Sequence, residues 1–104
     1  MTFKIIQKID ELGRILLPIH LREYYEIAAG DTVVLLSARE GIQIAKTEYF
    51  FMDQTPKDAI VSIDELGRIT IPISLRNQFK IKVSDALTFV MNETCMLIYK
   101  EKKQ

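Results

Sequence analysis

Two short runs carry the side chains best placed for polar chemistry. Asp10-Glu11-Leu12-Gly13-Arg14 and Asp64-Glu65-Leu66-Gly67-Arg68 each set an aspartate four residues before an arginine, across a turn that contains glycine. At that spacing the two charges can form an ion pair, and an exposed pair contributes only about 0–1 kcal/mol. Either arginine is therefore free to serve a second, anionic partner as well. Other cations lie nearby in sequence: Lys8 just before the first turn, Arg22 and Arg76 each directly after a leucine, and Lys80 and Lys82 in the second half only. Catalytic chemistry has little to work with. Cys95 is the only cysteine and His20 the only histidine, so no disulfide can form within the chain, and a zinc site, which needs three or four ligands, has no basis. No glycine-rich phosphate loop and no nucleophile–base set is present, and Asp10, Glu11, Asp64 and Glu65 have sufficient work in their turns. The reading is of a protein without enzymatic activity, metal, cofactor or small-molecule substrate.

The 104 residues are 48% hydrophobic and 27% charged, an ordinary globular balance. Ile15–Ile19 and Val33–Leu36 are the longest apolar runs, far short of the roughly 18 residues of a membrane span. Met1 leads straight into patterned sequence without a basic-then-apolar leader, so a cytoplasmic protein with no membrane partner is expected. Formal net charge is zero, with 14 basic and 14 acidic residues. A nucleic-acid binder usually carries a basic excess, so any case for a polyanionic partner must rest on where the charges sit.

What positions them is a duplication. Ile9-Asp10-Glu11-Leu12-Gly13-Arg14-Ile15 returns letter for letter at Ile63–Ile69, and the same offset aligns Ile5–Lys46 with Ala59–Lys100 without a gap. Pro18/Pro72, Leu21/Leu75, Arg22/Arg76, Ile27/Ile81 and Asp31/Asp85 coincide. Each copy reads as an extended first strand (Phe3–Ile9), a tight turn, a second strand (Arg14–Leu17) stopped by proline, and a short helix (Ile19–Tyr25). Two further strands follow, Thr32–Ala38 and Ile42–Lys46, joined by a short loop. A unit of about 45 residues is near the lower limit for a self-sufficient core, so the copies are expected to share one. The division is repeat 1 at 3–46, a linker at 47–58 and repeat 2 at 59–100, interlocked as a single domain over 1–104. Tyr49-Phe50-Phe51-Met52 is unusually apolar for a linker; it either packs back on the body or offers a surface for self-association.

The string Asp-Glu-Leu-Gly-Arg, followed by Ile-Pro in the second copy (Leu-Pro in the first) and then Leu-Arg, resembles the AbrB/MazE/SpoVT family of swapped-hairpin DNA-binding domains. The resemblance covers most of both repeats. It implies a mainly β fold with two short helices: an AbrB-like barrel made by two tandem repeats in one chain, a pseudo-dimer. It also implies a transcriptional regulator that meets double-stranded DNA through basic residues of the first hairpin and helix start, by phosphate contact and groove shape. Carried over position by position, the loop arginine falls on Arg14 and Arg68 and the helix arginine on Arg22 and Arg76. Lys8 stands for the basic pair before the first turn, and Lys80 and Lys82 add phosphate contacts in the second copy. Gln7 and Val61-Ser62 depart from the basic pair, and Glu23 and Asn77 replace the family's second helix arginine. Counted by copy, Lys8, Arg14 and Arg22 face Glu23 and Glu26, while the second copy holds Arg68, Arg76, Lys80 and Lys82, so the second copy is expected to anchor more strongly. Two other readings are an antitoxin and a protein-interaction module with weak or no DNA binding. Antitoxins of this type continue into a long acidic tail, whereas this sequence runs only to Gln104, which weighs against the former.

Overall fold

The computed structural model describes residues 4–47 and 59–101, and the same order of elements recurs in both stretches. The first holds β1 (Lys4–Lys8), β2 (Arg14–Leu16), α1 (Ile19–Tyr24), β3 (Thr32–Ser37) and β4 (Ile42–Lys46). The second holds β5 (Ile60–Ser62), β6 (Arg68–Thr70), α2 (Ile73–Gln78), β7 (Ala86–Met91) and β8 (Met96–Lys100). The chain is mainly β with two short helices. Pro18 and Pro72 precede the helices at φ −55° and −54°, the fixed value that suits a helix start. No described helix is long and apolar enough to cross a membrane. The Tyr49-Phe50-Phe51-Met52 cluster lies outside the described residues.

Strand pairing departs from the simple reading of two hairpins per copy. β3–β4 and β7–β8 are hairpins, but β1 and β2 do not pair with one another. Instead β1 runs antiparallel to β7 of the other copy, β5 pairs with β3, and β2 pairs with β6. The turn chemistry explains the divergence. Asp10 N–H donates to Arg14 O, as a hairpin would require, but the returning Arg14 N–H goes to the Asp10 carboxylate at 2.8 Å. The ladder stops after one rung, and Asp64 and Arg68 repeat the arrangement. Six strands form one sheet in the order β1-β7-β8-β4-β3-β5, with open edges at β1 and β5, while β2–β6 stands apart as a two-stranded ribbon. These strands therefore do not close into the single barrel expected. β2 and β6 are three residues each, and Pro18 and Pro72, lacking an N–H, prevent them from lengthening.

The core is common to both copies. One apolar cluster contains Ile15, Leu17, Leu21, Leu35, Ile42 and Ile44 together with Ile69, Ile71, Leu75, Phe89, Met96 and Ile98. Ile15 lies directly opposite Ile69 in the ribbon, and both are 1% exposed. Neither copy retains its buried neighbours without the other. When residues 1–52 and 53–104 are expressed separately, neither is expected to show a cooperative thermal transition as a monomer, whereas mixing them should restore one. A sharp melt from either half alone would contradict the shared core.

A single hydroxyl adds a polar tie between the copies. Tyr25, at the C-terminus of α1, has its oxygen 2.5 Å from Asn92 O and 2.8 Å from Cys95 O, and accepts the Asn92 N–H at 3.1 Å. Its counterpart Phe79 has no hydroxyl. Burial pushes the Tyr25 phenol up to about 12 despite the opposing bond from Asn92. The neutral phenol is thus the form the fold retains, so its contribution is complete below pH 10, the ordinary value, and is lost as pH rises toward about 12. Tyr25→Phe should cost about 0.5–1.5 kcal/mol at neutral pH, the net contribution of a hydrogen bond, since Asn92 N–H and Cys95 O keep each other as partners. It should also remove most of the alkaline loss of stability between those values, measured by denaturant unfolding across pH.

Candidate nucleic-acid interface

Alternation along the ribbon sorts its side chains into two faces. Ile15 and Ile69 turn inward, so Arg14, Leu16, Arg68 and Thr70 share the outer face. Arg14 pairs with Thr70, and Arg68 with Leu16, which makes the two arginines diagonal neighbours about 7–8 Å apart. Each is steadied by its turn: Arg14 Nε donates to Asp10 Oδ2 and Arg68 Nε to Asp64 Oδ2, both at 2.7 Å. The other oxygen, Oδ1, accepts two backbone N–H groups, from Leu12 and Arg14 in one turn and from Leu66 and Arg68 in the other. Desolvation raises the Asp10 carboxyl, but the Arg14 N–H, the guanidinium and the Leu12 N–H outweigh it and hold the value below the usual carboxylate range. For Asp64 the Arg68 N–H is the largest influence, and the direction is the same. Both aspartates are therefore charged at neutral pH, and in each arginine the pair uses Nε, leaving the two terminal nitrogens for another acceptor.

Arg22 and Arg76 are held in a parallel way. Arg22 Nε donates to Leu17 O and Arg76 Nε to Ile71 O, both at 2.8 Å. Each guanidinium lies against the turn of the opposite copy: a Cβ built on Gly67 would be 2.6 Å from Arg22 Cζ, and one on Gly13 would be 2.7 Å from Arg76 Cζ. Strand-end bonds fix this crossing, with Leu17 N–H donating to Gly67 O and Ile71 N–H to Gly13 O, both at 2.9 Å. The glycines also have φ of +81° and +86°, where a side chain is strained. Arg76 thus sits beside Arg14, and Arg22 beside Arg68.

The crossing regroups the remaining cations. Lys8 is exposed at the end of β1, opposite Ala86. The adjoining Ile9 bonds to Asp85 O and accepts from Ser84 N–H, so Lys8 joins the second copy's Lys82–Asp85 turn. Arg76, Asn77, Lys80, Ile81, Lys82 and Lys100 line one open groove. Lys8, Arg76, Lys80 and Lys82 consequently gather beyond Arg14 at one end of the ribbon, with Arg22 beyond Arg68 at the other, while Arg14 and Arg68 themselves meet at its centre. The division by copy expected from sequence is not the division in space, because the repeats exchange strands. Lys100 was missed by the sequence reading: its ammonium bonds Lys80 O and Asp85 Oδ2 at 2.8 and 2.9 Å. The signal available was its identity with Lys46, which makes the same bond to Glu26 O.

Gly13→Ala tests the crossing directly. The methyl group must displace the anchored Arg76 guanidinium and occupy a left-handed backbone, at an expected cost of about 1–2 kcal/mol. The melting temperature should fall, and the Arg76 Nε–H signal in an NMR spectrum should move; an unaltered arginine signal would show that the contact is unimportant.

Neither a family model nor a curated protein matches this chain. Among solved structures, the chain is similar to the solution structure of PHS018 from Pyrococcus horikoshii. The two are 22% identical over 96% of this chain and 95% of that one, with a TM-score of 0.52. At that identity the likeness is one of fold alone.

Proposed function

We propose that this chain is a DNA-binding transcriptional regulator of AbrB type, its two repeats exchanging elements as a swapped-hairpin pseudo-dimer within one chain. The observation that carries the reading is the ribbon's outer face. Arg14 and Arg68 stand there as symmetry-related neighbours, each fixed through Nε, with Arg76 and Arg22 packed beside them. Guanidinium groups already held in place lose little freedom on meeting phosphate oxygens, and their planar terminal nitrogens suit bidentate contact. Lys8, Lys80 and Lys82 extend the contact along the duplex. The exchange of β1, β2, β5 and β6 between copies supports the swapped-hairpin reading.

A second reading, a protein-interaction module, draws on exposed apolar groups near the same face. Leu12 and Leu66 are 64% and 65% exposed, and Ile19 and Ile73 are 50% and 64% exposed. The two readings separate by selection of bound fragments from random and genomic duplex DNA at low and moderate salt. DNA binding through four or five phosphates predicts that log affinity falls with log salt at a slope of about −4, at roughly 0.9 per phosphate. Changing Arg14 and Arg68 together to alanine should weaken all fragments and flatten the slope by about 2. Absence of salt-dependent binding to any duplex would sink the regulator and favour the interaction module.

A further inference from the structure

The two ends of the molecule are built alike and charged differently. Toward one end stand Lys8, Arg14, Arg76, Lys80, Lys82 and Lys100; the equivalent places toward the other are Ser62, Arg68, Arg22, Glu26, Ala28 and Lys46. Six cations face three cations, one carboxylate and two neutral groups. Asn77 at the basic end answers Glu23 at the other, which widens the contrast. The backbone does not differ: Glu26 and Lys80 both take φ +54° after their helices, and their carbonyls are held by Lys46 and Lys100 at the same 2.8 Å. The asymmetry therefore lies in side-chain charge carried on a common framework.

Resting on the DNA reading above, we propose that the chain binds non-palindromic DNA in one fixed orientation, with the Lys8–Arg14–Arg76–Lys80–Lys82 end as its anchor. Equal ends would bind a uniform duplex equally well in either direction. Unequal ends prefer a site whose halves also differ, since reversing the protein then sets each end on the wrong half. The basic end favours the side with the narrower minor groove, where the phosphates of the two strands crowd and the potential is most negative. The opposite end, with Glu23 and Glu26 flanking Arg22, tolerates only sparse phosphate contact. Both repeats contribute to the anchor, Lys8 and Arg14 from the first and the groove cations from the second. Arg14→Ala should therefore weaken binding more than Arg68→Ala, the reverse of a count by copy.

The test uses the full chain and a selected duplex labelled at one end. Cysteine is introduced at Glu11 or at Glu65, exposed positions in the turns of the basic and the opposite end, and an iron chelate is tethered there to cut nearby DNA. Unmodified protein, with its buried Cys95, is the control. The Glu11 tether should cut one flank and the Glu65 tether the other. Exchanging the charges between equivalent places (Lys8→Ser, Ser62→Lys, Glu26→Lys, Lys80→Glu, Ala28→Lys and Lys82→Ala) keeps the net charge and should interchange the flanks. If the full exchange lowers the melting temperature, Lys80→Glu with Lys82→Ala alone should make both flanks cut and flatten the salt slope by about 2. Equal cutting of both flanks by the tethers on otherwise unaltered protein overturns the fixed orientation while leaving DNA binding intact, as does an orientation unmoved by the exchange. No binding to any duplex removes the functional reading and this inference together. Salt-sensitive self-association that is lost in the exchange variant, with orientation on DNA unchanged, assigns the charge contrast to contacts between chains and also overturns it.

Discussion

Ile15 against Ile69 is the contact on which the arrangement of the polar face depends. It is the centre of a three-residue ladder in which each copy supplies one strand. Burying these isoleucines commits the flanking residues, at a period of two, to the outside. A slip of one residue in this register would turn Arg14 and Arg68 into the core and expose both isoleucines, a cost large enough to hold the register. The bonds that close the ladder, Leu17 to Gly67 and Ile71 to Gly13, then bring each helix under the other copy's turn. The packing of Arg22 and Arg76 on the glycines follows from that crossing.

Joining two copies in one chain makes their association independent of concentration. It also frees each copy to change. A symmetric dimer of one short chain must carry every substitution twice, whereas here Tyr25 fixes the β7–β8 hairpin while its equivalent Phe79 makes no such bond. Lys80 and Glu26 likewise differ in charge at one backbone geometry. The parts that build the crossing of β2 and β6 stay alike: the Ile-Asp-Glu-Leu-Gly-Arg-Ile runs, the two prolines and the two helix arginines. Divergence reaches the shared core as well, where Leu17, Leu35 and Ile42 of the first copy answer Ile71, Phe89 and Met96 of the second.

The duplication and the order of elements were legible in the sequence because glycine, proline and apolar alternation act locally. Asp10 and Gly13 specify their turn whatever surrounds it, and Pro18 ends β2 wherever the strand goes. Partner choice is not local. Nothing in Lys4–Lys8 states that its ladder runs to Ala86–Met91 rather than to Arg14–Leu16, since both partners offer apolar strands of suitable length. The deciding feature, the Arg14 N–H turned toward the Asp10 carboxylate, is visible only in three dimensions. The same holds for the site. The ion pairs of Arg14 and Arg68 could be anticipated from spacing, but the company each arginine keeps depends on the exchange of strands, and with it the place of Lys8.

Zero net charge is compatible with a polyanionic partner once distance is considered. The molecule measures 38 × 30 × 27 Å, several times the Debye length of about 8–10 Å near physiological salt. A phosphate therefore responds chiefly to the charges within that distance of it, and not to the total carried by the chain. Within that range the local carboxylates matter more than the total. Asp10 is committed to Arg14 and Asp85 to Lys100, so each offsets part of its partner's charge while fixing the head group in place. Lys8, Lys80 and Lys82 are exposed and pair with no described carboxylate through their ammonium groups. Arginines held through Nε, beside exposed lysines that pair with no described carboxylate, divide the work between fixing position and supplying long-range attraction.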